Sequence, residues 1–337
     1  MWMLNNKTPY AAERNWVLDK NAVKSWVVAV KGTFDILPDG TTALAEEQEL
    51  ALYLPKYAGA DGESSLIYEA DLVGPKKGTD VLLNGHAYAP QGRPVKKVNV
   101  AMRVGPITKE LVVFGDRRWQ KGALGGLSMT APEPFVSMPI TYERAFGGYD
   151  KRAEDPSEHR LEPRNPIGTG FATRRDHLDE QALPNVEYPK RLISSRKDRP
   201  PPAGFGAIAS YWSPRLEYAG TYDRRWLEER MPLLAEDFDE RYYQCAPADQ
   251  QVAGFLGGGE PVELVNLTPE GMLRFRLPSV KLAFTTQFGS DEGEHDARLH
   301  TVILEPDVPR VIMVWCTHLE CHHRVDELEQ TIIEEKH

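Results

Sequence analysis

The sequence predicts a mainly β protein: antiparallel sheets built from hairpins and meanders, a loop-rich excursion in the middle, and an amphipathic helix at the C-terminus. Three observations carry this. Apolar residues recur with period two toward both ends of the chain, and Gly and Pro punctuate them at short intervals. The stretch 150–250 breaks that pattern with many prolines yet keeps its aromatic residues, among them Phe171, Phe205, Tyr211, Trp212 and Trp226. The whole chain has 26 prolines in 337 residues, about 8% against a usual ~5%.

In chain order, residues 26–36 are rich in β-branched side chains and read as a strand that stops at Leu37-Pro38-Asp39-Gly40, a good turn. The return over 41–54 is less clear. Val81, Leu82 and Leu83 then lead into Asn84-Gly85, with His86 and Tyr88 beyond. An Asn-Gly pair between two β-prone runs predicts a tight type I′ hairpin, since both central residues of that turn need positive φ. Asn84 and Gly85 are therefore expected to be a structural turn. Val98, Val100, Met102 and Val104 alternate with Lys97, Asn99, Ala101 and Arg103, a strand with one buried and one wet face. Gly105-Pro106 turns the chain and 111–114 returns it, which makes a meander.

In the excursion one helix is expected over 222–230, with Thr221 as N-cap and Pro232 fixing its end. Residues 262–267, the turn Thr268-Pro269-Glu270-Gly271 and the alternation Leu273, Phe275, Leu277 form a second hairpin. Further strands are expected at 281–288, 301–304 and 310–315. From about Val325 the residues Val325, Leu328 and Ile332 share one helical face. One domain spanning 1–337 is expected, with the 150–250 excursion packed on the β core.

Composition narrows the function classes. Apolar residues make up 41% and charged residues 27%, values of a globular rather than a disordered chain. A net charge of −10 argues against a nucleic-acid backbone or an anionic membrane surface as the main partner. Three cysteines, Cys245, Cys316 and Cys321, make no disulfide framework and suit a reducing compartment. The first residues lack the basic start and apolar run of a signal peptide, and the apolar stretch 311–315 is far too short to span a membrane. A soluble, cytoplasmic protein is expected.

Motifs for chemistry are sparse. Gly204-Phe205-Gly206-Ala207-Ile208-Ala209 fits a variant of the dinucleotide fingerprint, but it follows Pro200-Pro201-Pro202 instead of a strand, so a loop is expected. Gly74-Pro75-Lys76-Lys77-Gly78-Thr79 lacks the ending of a phosphate-binding loop. Cys316, His318, Cys321, His322 and His323 form the one ligand-type cluster, without the paired spacing of common zinc sites. No metal and no cofactor are expected. Asp80, His86 and Asp116 could in principle converge on an acid–base site, and nothing in their spacing demands it. Charge is uneven: 35–71 holds nine acids and one base, while 93–121 holds eight bases and two acids. The plain reading is mutual neutralisation between neighbouring strands; the functional one is a patch that steers a charged protein partner.

Several segments go further: Asp80-Val-Leu-Leu-Asn-Gly-His-Ala-Tyr-Ala-Pro90, Val113-Phe-Gly-Asp-Arg-Arg-Trp119, Met138-Pro-Ile-Thr-Tyr-Glu-Arg-Ala-Phe-Gly-Gly148, Asn165-Pro-Ile-Gly-Thr-Gly-Phe171, Tyr218-Ala-Gly-Thr-Tyr-Asp223 and Pro247-Ala-Asp-Gln250. In this order, from about residue 26 to near the C-terminus, the chain resembles a domain-of-unknown-function family of Gram-negative bacteria encoded beside type VI secretion genes. The resemblance implies an adaptor-chaperone, not an enzyme. Such a protein binds a secreted effector and helps load it onto a PAAR-type tip and the valine-glycine-repeat spike trimer. The family supplies no catalytic residues to carry over. His86, Tyr88, Trp212, Trp226, Arg117 and Arg118 are the candidate protein-binding residues, because aromatic and arginine side chains dominate interface energetics. The alternatives are a hydrolase or other modifying enzyme centred on His86 and Asp116, and a structural component of the secretion apparatus.

Overall fold

The runs Val27-Val28-Ala29-Val30 and Val311-Ile312-Met313-Val314-Trp315 have no polar residue to turn toward water, and both are buried on both faces. That is the pattern of central strands covered on each side. In the computed structural model, which describes residues 2–122, 126–322 and 324–336, they lie side by side in a six-stranded sheet. Its order is Ala11–Leu18, Lys24–Ile36, Arg310–Glu320, Arg298–Glu305 and Asp80–Leu83, with Thr42–Leu44 paired to the end of Lys24–Ile36. The register sets Trp315 opposite Val30 and Val311 opposite Phe34.

Because side chains alternate across a strand, Trp26, Val28, Val30, Val311, Met313 and Trp315 face one core while Val27, Ala29, Val314 and Cys316 face the other side. The main core is shared with two more sheets. A five-stranded sheet runs Val186–Glu187, Ile107–Phe114, Lys97–Val104, Pro261–Val265, Met272–Arg276 and supplies Val100, Met102, Leu111 and Leu264. A four-stranded sheet runs Met3–Asn6, Leu328–Glu335, Leu282–Phe288, Asp291–His295 and supplies Phe284, Leu328 and Ile333. Burying one such side chain is worth about 1.5–3 kcal/mol. The back of the six-stranded sheet is covered by Tyr142 and the Pro-rich excursion, whose Ala207, Ala209 and Trp212 pack with it on Leu82, Ile303 and Ile312.

The two sequence hairpins are present. Lys97–Val104 pairs with Ile107–Phe114, and Pro261–Val265 with Met272–Arg276, both antiparallel. Four expectations change. First, residues beyond Val325 form no helix: a short 3₁₀ turn, Val325–Glu327, precedes the strand Leu328–Glu335, held between Met3–Asn6 and Leu282–Phe288. Thr331, Ile332 and Ile333 are β-branched and suit that position. Second, Asn84-Gly85 is not a hairpin turn. Asp80–Leu83 pairs with Arg298–Glu305, His86–Tyr88 pairs with Ser137–Pro139, and neither Asn84 nor Gly85 has positive φ. Third, the helix is shorter, Arg224–Glu229, and its N-cap is Asp223, which accepts from the Trp226 N–H; Thr221 instead bonds Asp237. Fourth, not every pairing is antiparallel: Met3–Asn6 with Leu328–Glu335 and Asp80–Leu83 with Arg298–Glu305 are parallel.

Candidate functional site

The parallel register that sets Leu83 beside Leu304 also carries the following residues past each other. This brings His86 and Tyr88 to Asp307. His86 Nδ1 pairs with Asp307 Oδ2 at 2.7 Å, and the Tyr88 hydroxyl donates to Asp307 Oδ1 at 2.8 Å. Burial and the Asp307 hydrogen bond push the Tyr88 phenol up to about 12, so it stays a donor. The result is a half-exposed polar patch. Asp307 had no signal of its own in the sequence; only the strand register reveals it.

Asp116 belongs elsewhere. It accepts from Asn185 Nδ2 at 2.8 Å and faces Arg144 Nη1 at 3.4 Å. It lines a cleft of 450 Å³ with Arg118, Arg144, Glu133 and Glu180. His86 and Asp116 therefore have separate partners, and no hydrogen bond joins them among the described residues. Segments 113–119, 138–148 and 165–171, distant in sequence, converge on this cleft through Asp116, Arg144 and Thr169. Arg118 is exposed and pairs with Glu180 at 2.6 Å. The Arg117 side chain is largely covered and pairs with Glu187, whose other oxygen accepts from the Ile193 N–H. It ties the sheet edge to the excursion and leaves little surface for a partner.

Arg103 pairs with Glu263, Lys109 with Asp249 and Lys121 with Asp179, while Lys31 takes Asp71, Arg215 takes Glu69 and Arg310 takes Glu49. The acidic and basic stretches thus find partners outside one another, and the mutual neutralisation expected between them is not how they are balanced.

Trp212 is wholly buried against Tyr142 and adds no surface for docking; the expectation that it binds a partner is withdrawn for the folded chain. Trp226 is half-buried, donates to Leu233 O at 2.8 Å and stacks edge-on with exposed Tyr222 at 4.8 Å. In the C-terminal Cys/His group, Cys316 contacts Asp71 O, His318 pairs with Val73 O and stacks on His300, and Cys321 sits in the main core. His322 is exposed beside Glu320, and His323 lies outside the described residues. Residues 204–209 have neither a strand before them nor a helix after them.

Buried charge elsewhere serves the scaffold. Lys76 Nζ bonds Asp80 at 2.6 Å and Thr301 at 3.0 Å, and Asp80 also accepts from the Cys245 N–H at 2.9 Å. Burial pushes the Cys245 thiol up to about 12, which keeps it protonated and a poor nucleophile. Among the described residues no helix is long and apolar enough to cross a membrane.

Fold and site together define a mainly β scaffold with closed internal ion pairs and polar patches at its surface. The chain belongs to the family described as an uncharacterized protein conserved in bacteria, DUF2169, whose model matches residues 21–316. No curated protein and no solved structure matches it.

Proposed function

We propose that this protein is an adaptor that binds a polypeptide cargo, a secreted effector or its PAAR-type tip, and presents it to a type VI secretion spike. The observation that carries the reading is the surface of residues 216–231. Leu216, Tyr222, Leu227 and Met231 are exposed there, with Trp226 half-buried among them. The segment is nevertheless held in place. Asp223 caps its helix, Arg224 pairs with Glu228 at 2.7 Å and Arg225 with Glu229 at 3.0 Å, and Arg230 donates to Lys20 O and Leu234 O. Large apolar side chains fixed in water, rimmed by charge, are a feature of interaction surfaces. The setting in secretion comes from the resemblance of the sequence segments quoted above.

Co-purification tests it. The full chain, tagged, is expected to retain the product of the neighbouring effector or tip gene, and Leu227→Asp with Met231→Asp is expected to lose it. A chain that retains no such product, or a double variant that retains it unchanged, counts against the reading.

A further inference from the structure

Three guanidinium groups line one cavity of 330 Å³ at the edge of the excursion. Arg164 and Arg241 are each held along one edge only. Glu162 takes Arg164 Nε at 2.7 Å and Nη2 at 2.9 Å. Asp239 takes Arg241 Nε at 2.9 Å and Nη2 at 2.7 Å. Arg215 is almost wholly buried; its Nε donates to Tyr242 O at 3.0 Å, and its Nη1 to Glu69 at 2.5 Å and Ile208 O at 2.6 Å. Arg164 Nη1, Arg241 Nη1 and Arg215 Nη2 have no hydrogen-bond partner among the described residues. The carboxylates that orient the three arginines do not line the cavity. The one that does, Asp249, is already engaged by buried Lys109 at 2.8 Å. The charge facing the cavity is therefore net positive and fixed before anything binds. Arg241 is further held over the Tyr218 ring at 4.2 Å.

The remaining wall is mostly apolar, built from Tyr142, Tyr188, Pro201, Pro202, Pro214 and Pro247, with Ser213, Gln244 and Gln251 as its polar members. Aromatic and proline surfaces hold a flat or branched apolar group, and a guanidinium with a free amino group donates to a carboxylate oxygen. The volume lies at the low end of the range of about 300–1,000 Å³ for ligand sites, room for one bulky side chain and an adjoining carboxylate.

We infer that this cavity recognises an acidic polypeptide segment in which a bulky apolar side chain neighbours a carboxylate. That the occupant is a polypeptide rests on the adaptor reading; the chemistry of the cavity does not.

The test is fluorescence polarisation with a labelled peptide of alternating Glu and Phe, against two controls with Gln for Glu or Ala for Phe. The Glu/Phe peptide is expected to bind at least about tenfold more tightly than either control, a difference of about 1.4 kcal/mol. Arg164→Gln with Arg241→Gln, two partly exposed positions, is expected to weaken it by a similar factor while circular dichroism stays unchanged. Equal binding of the Gln/Phe peptide, or unchanged binding by the double variant, overturns the inference. So does benzoate competing at the concentration of the peptide, which would make this a small-molecule site. Partner capture separates the two claims. A double variant that loses the peptide but keeps the co-purified partner overturns the polypeptide assignment and leaves the adaptor reading standing. Peptide binding by a chain that captures no partner supports the cavity's chemistry and counts against the adaptor.

Discussion

Gln250 is fully buried where three parts of the fold meet. Its Nε2 donates to Val81 O at 2.6 Å and to Phe205 O at 2.8 Å, and its Oε1 accepts from Lys109 Nζ at 2.6 Å. One side chain thus joins the edge of the six-stranded sheet, the excursion and the five-stranded sheet. Gln250→Ala removes both donors and the acceptor of Lys109. A buried polar group deprived of its partner costs about 1–3 kcal/mol. Phe205 O keeps the Leu83 N–H at 3.1 Å, so one orphaned carbonyl, Val81 O, and a weakened Lys109 sum to about 2–4 kcal/mol. Against a typical total of about 5–15 kcal/mol, that is a large share. Lys109 makes the site more sensitive, since burial pulls its pKa down to about 8 against the pull of Asp249. Urea unfolding followed by circular dichroism measures the loss as a lower midpoint at unchanged slope. A loss below about 1 kcal/mol would refute the argument, because it would mean that water or a shifted backbone satisfies the Val81 carbonyl at no cost.

Two further outcomes follow from single residues. His295 pairs with Thr286 Oγ1 at 2.7 Å and Thr317 Oγ1 at 2.6 Å, bridging the four- and six-stranded sheets. Burial holds its pKa down at about 4 against an ordinary 6.5. Between those values the unfolded chain binds more protons than the folded one. Its stabilising contribution is therefore complete above pH 6.5 and is lost as pH falls toward 4; the slope is up to about 1.4 kcal/mol per pH unit. His295→Gln should flatten the acid limb of stability against pH, and an unchanged limb speaks against this role. At Gly115 an added Cβ would lie 1.7 Å from Glu133 O, whereas at Gly85 the nearest atom would be Pro306 Cγ at 3.2 Å. Gly115→Ala should therefore cost more than about 3 kcal/mol and Gly85→Ala less than about 1 kcal/mol. A reversed order of thermal midpoints would restore the strained-turn reading of Gly85.

Local pairing was readable in the sequence and distant pairing was not. The hairpins around Gly105 and Gly271 join neighbours in sequence, so alternation plus turn chemistry located both. Asn84-Gly85 carries the same local signal, but Asp80–Leu83 and His86–Tyr88 each find a partner far along the chain. For Leu328–Glu335 the sequence leaves two choices, since Val325, Leu328 and Ile332 fit a helical face equally well. Its flanking strands, Met3–Asn6 and Leu282–Phe288, settle the matter, and nothing local announces them. The candidate site divides the same way. His86, Tyr88 and Arg118 are at the surface as expected of such residues, but Asp307 and Glu180 become visible as their partners only once the register is known. Composition cannot tell a ring that covers a sheet, as Trp212 does, from one that meets a partner. Arg164, Arg215 and Arg241 lie in loop-rich sequence with no common spacing, and tertiary structure alone brings them to one cavity.

The adaptor claim is tested most directly by following the cargo in a bacterium from which this protein has been deleted. The account predicts that the neighbouring effector falls in abundance and is no longer delivered to target cells. The unmodified gene should restore both, and the Leu227→Asp, Met231→Asp variant should restore neither. An effector that stays stable, reaches the spike and kills normally without this protein would contradict the account.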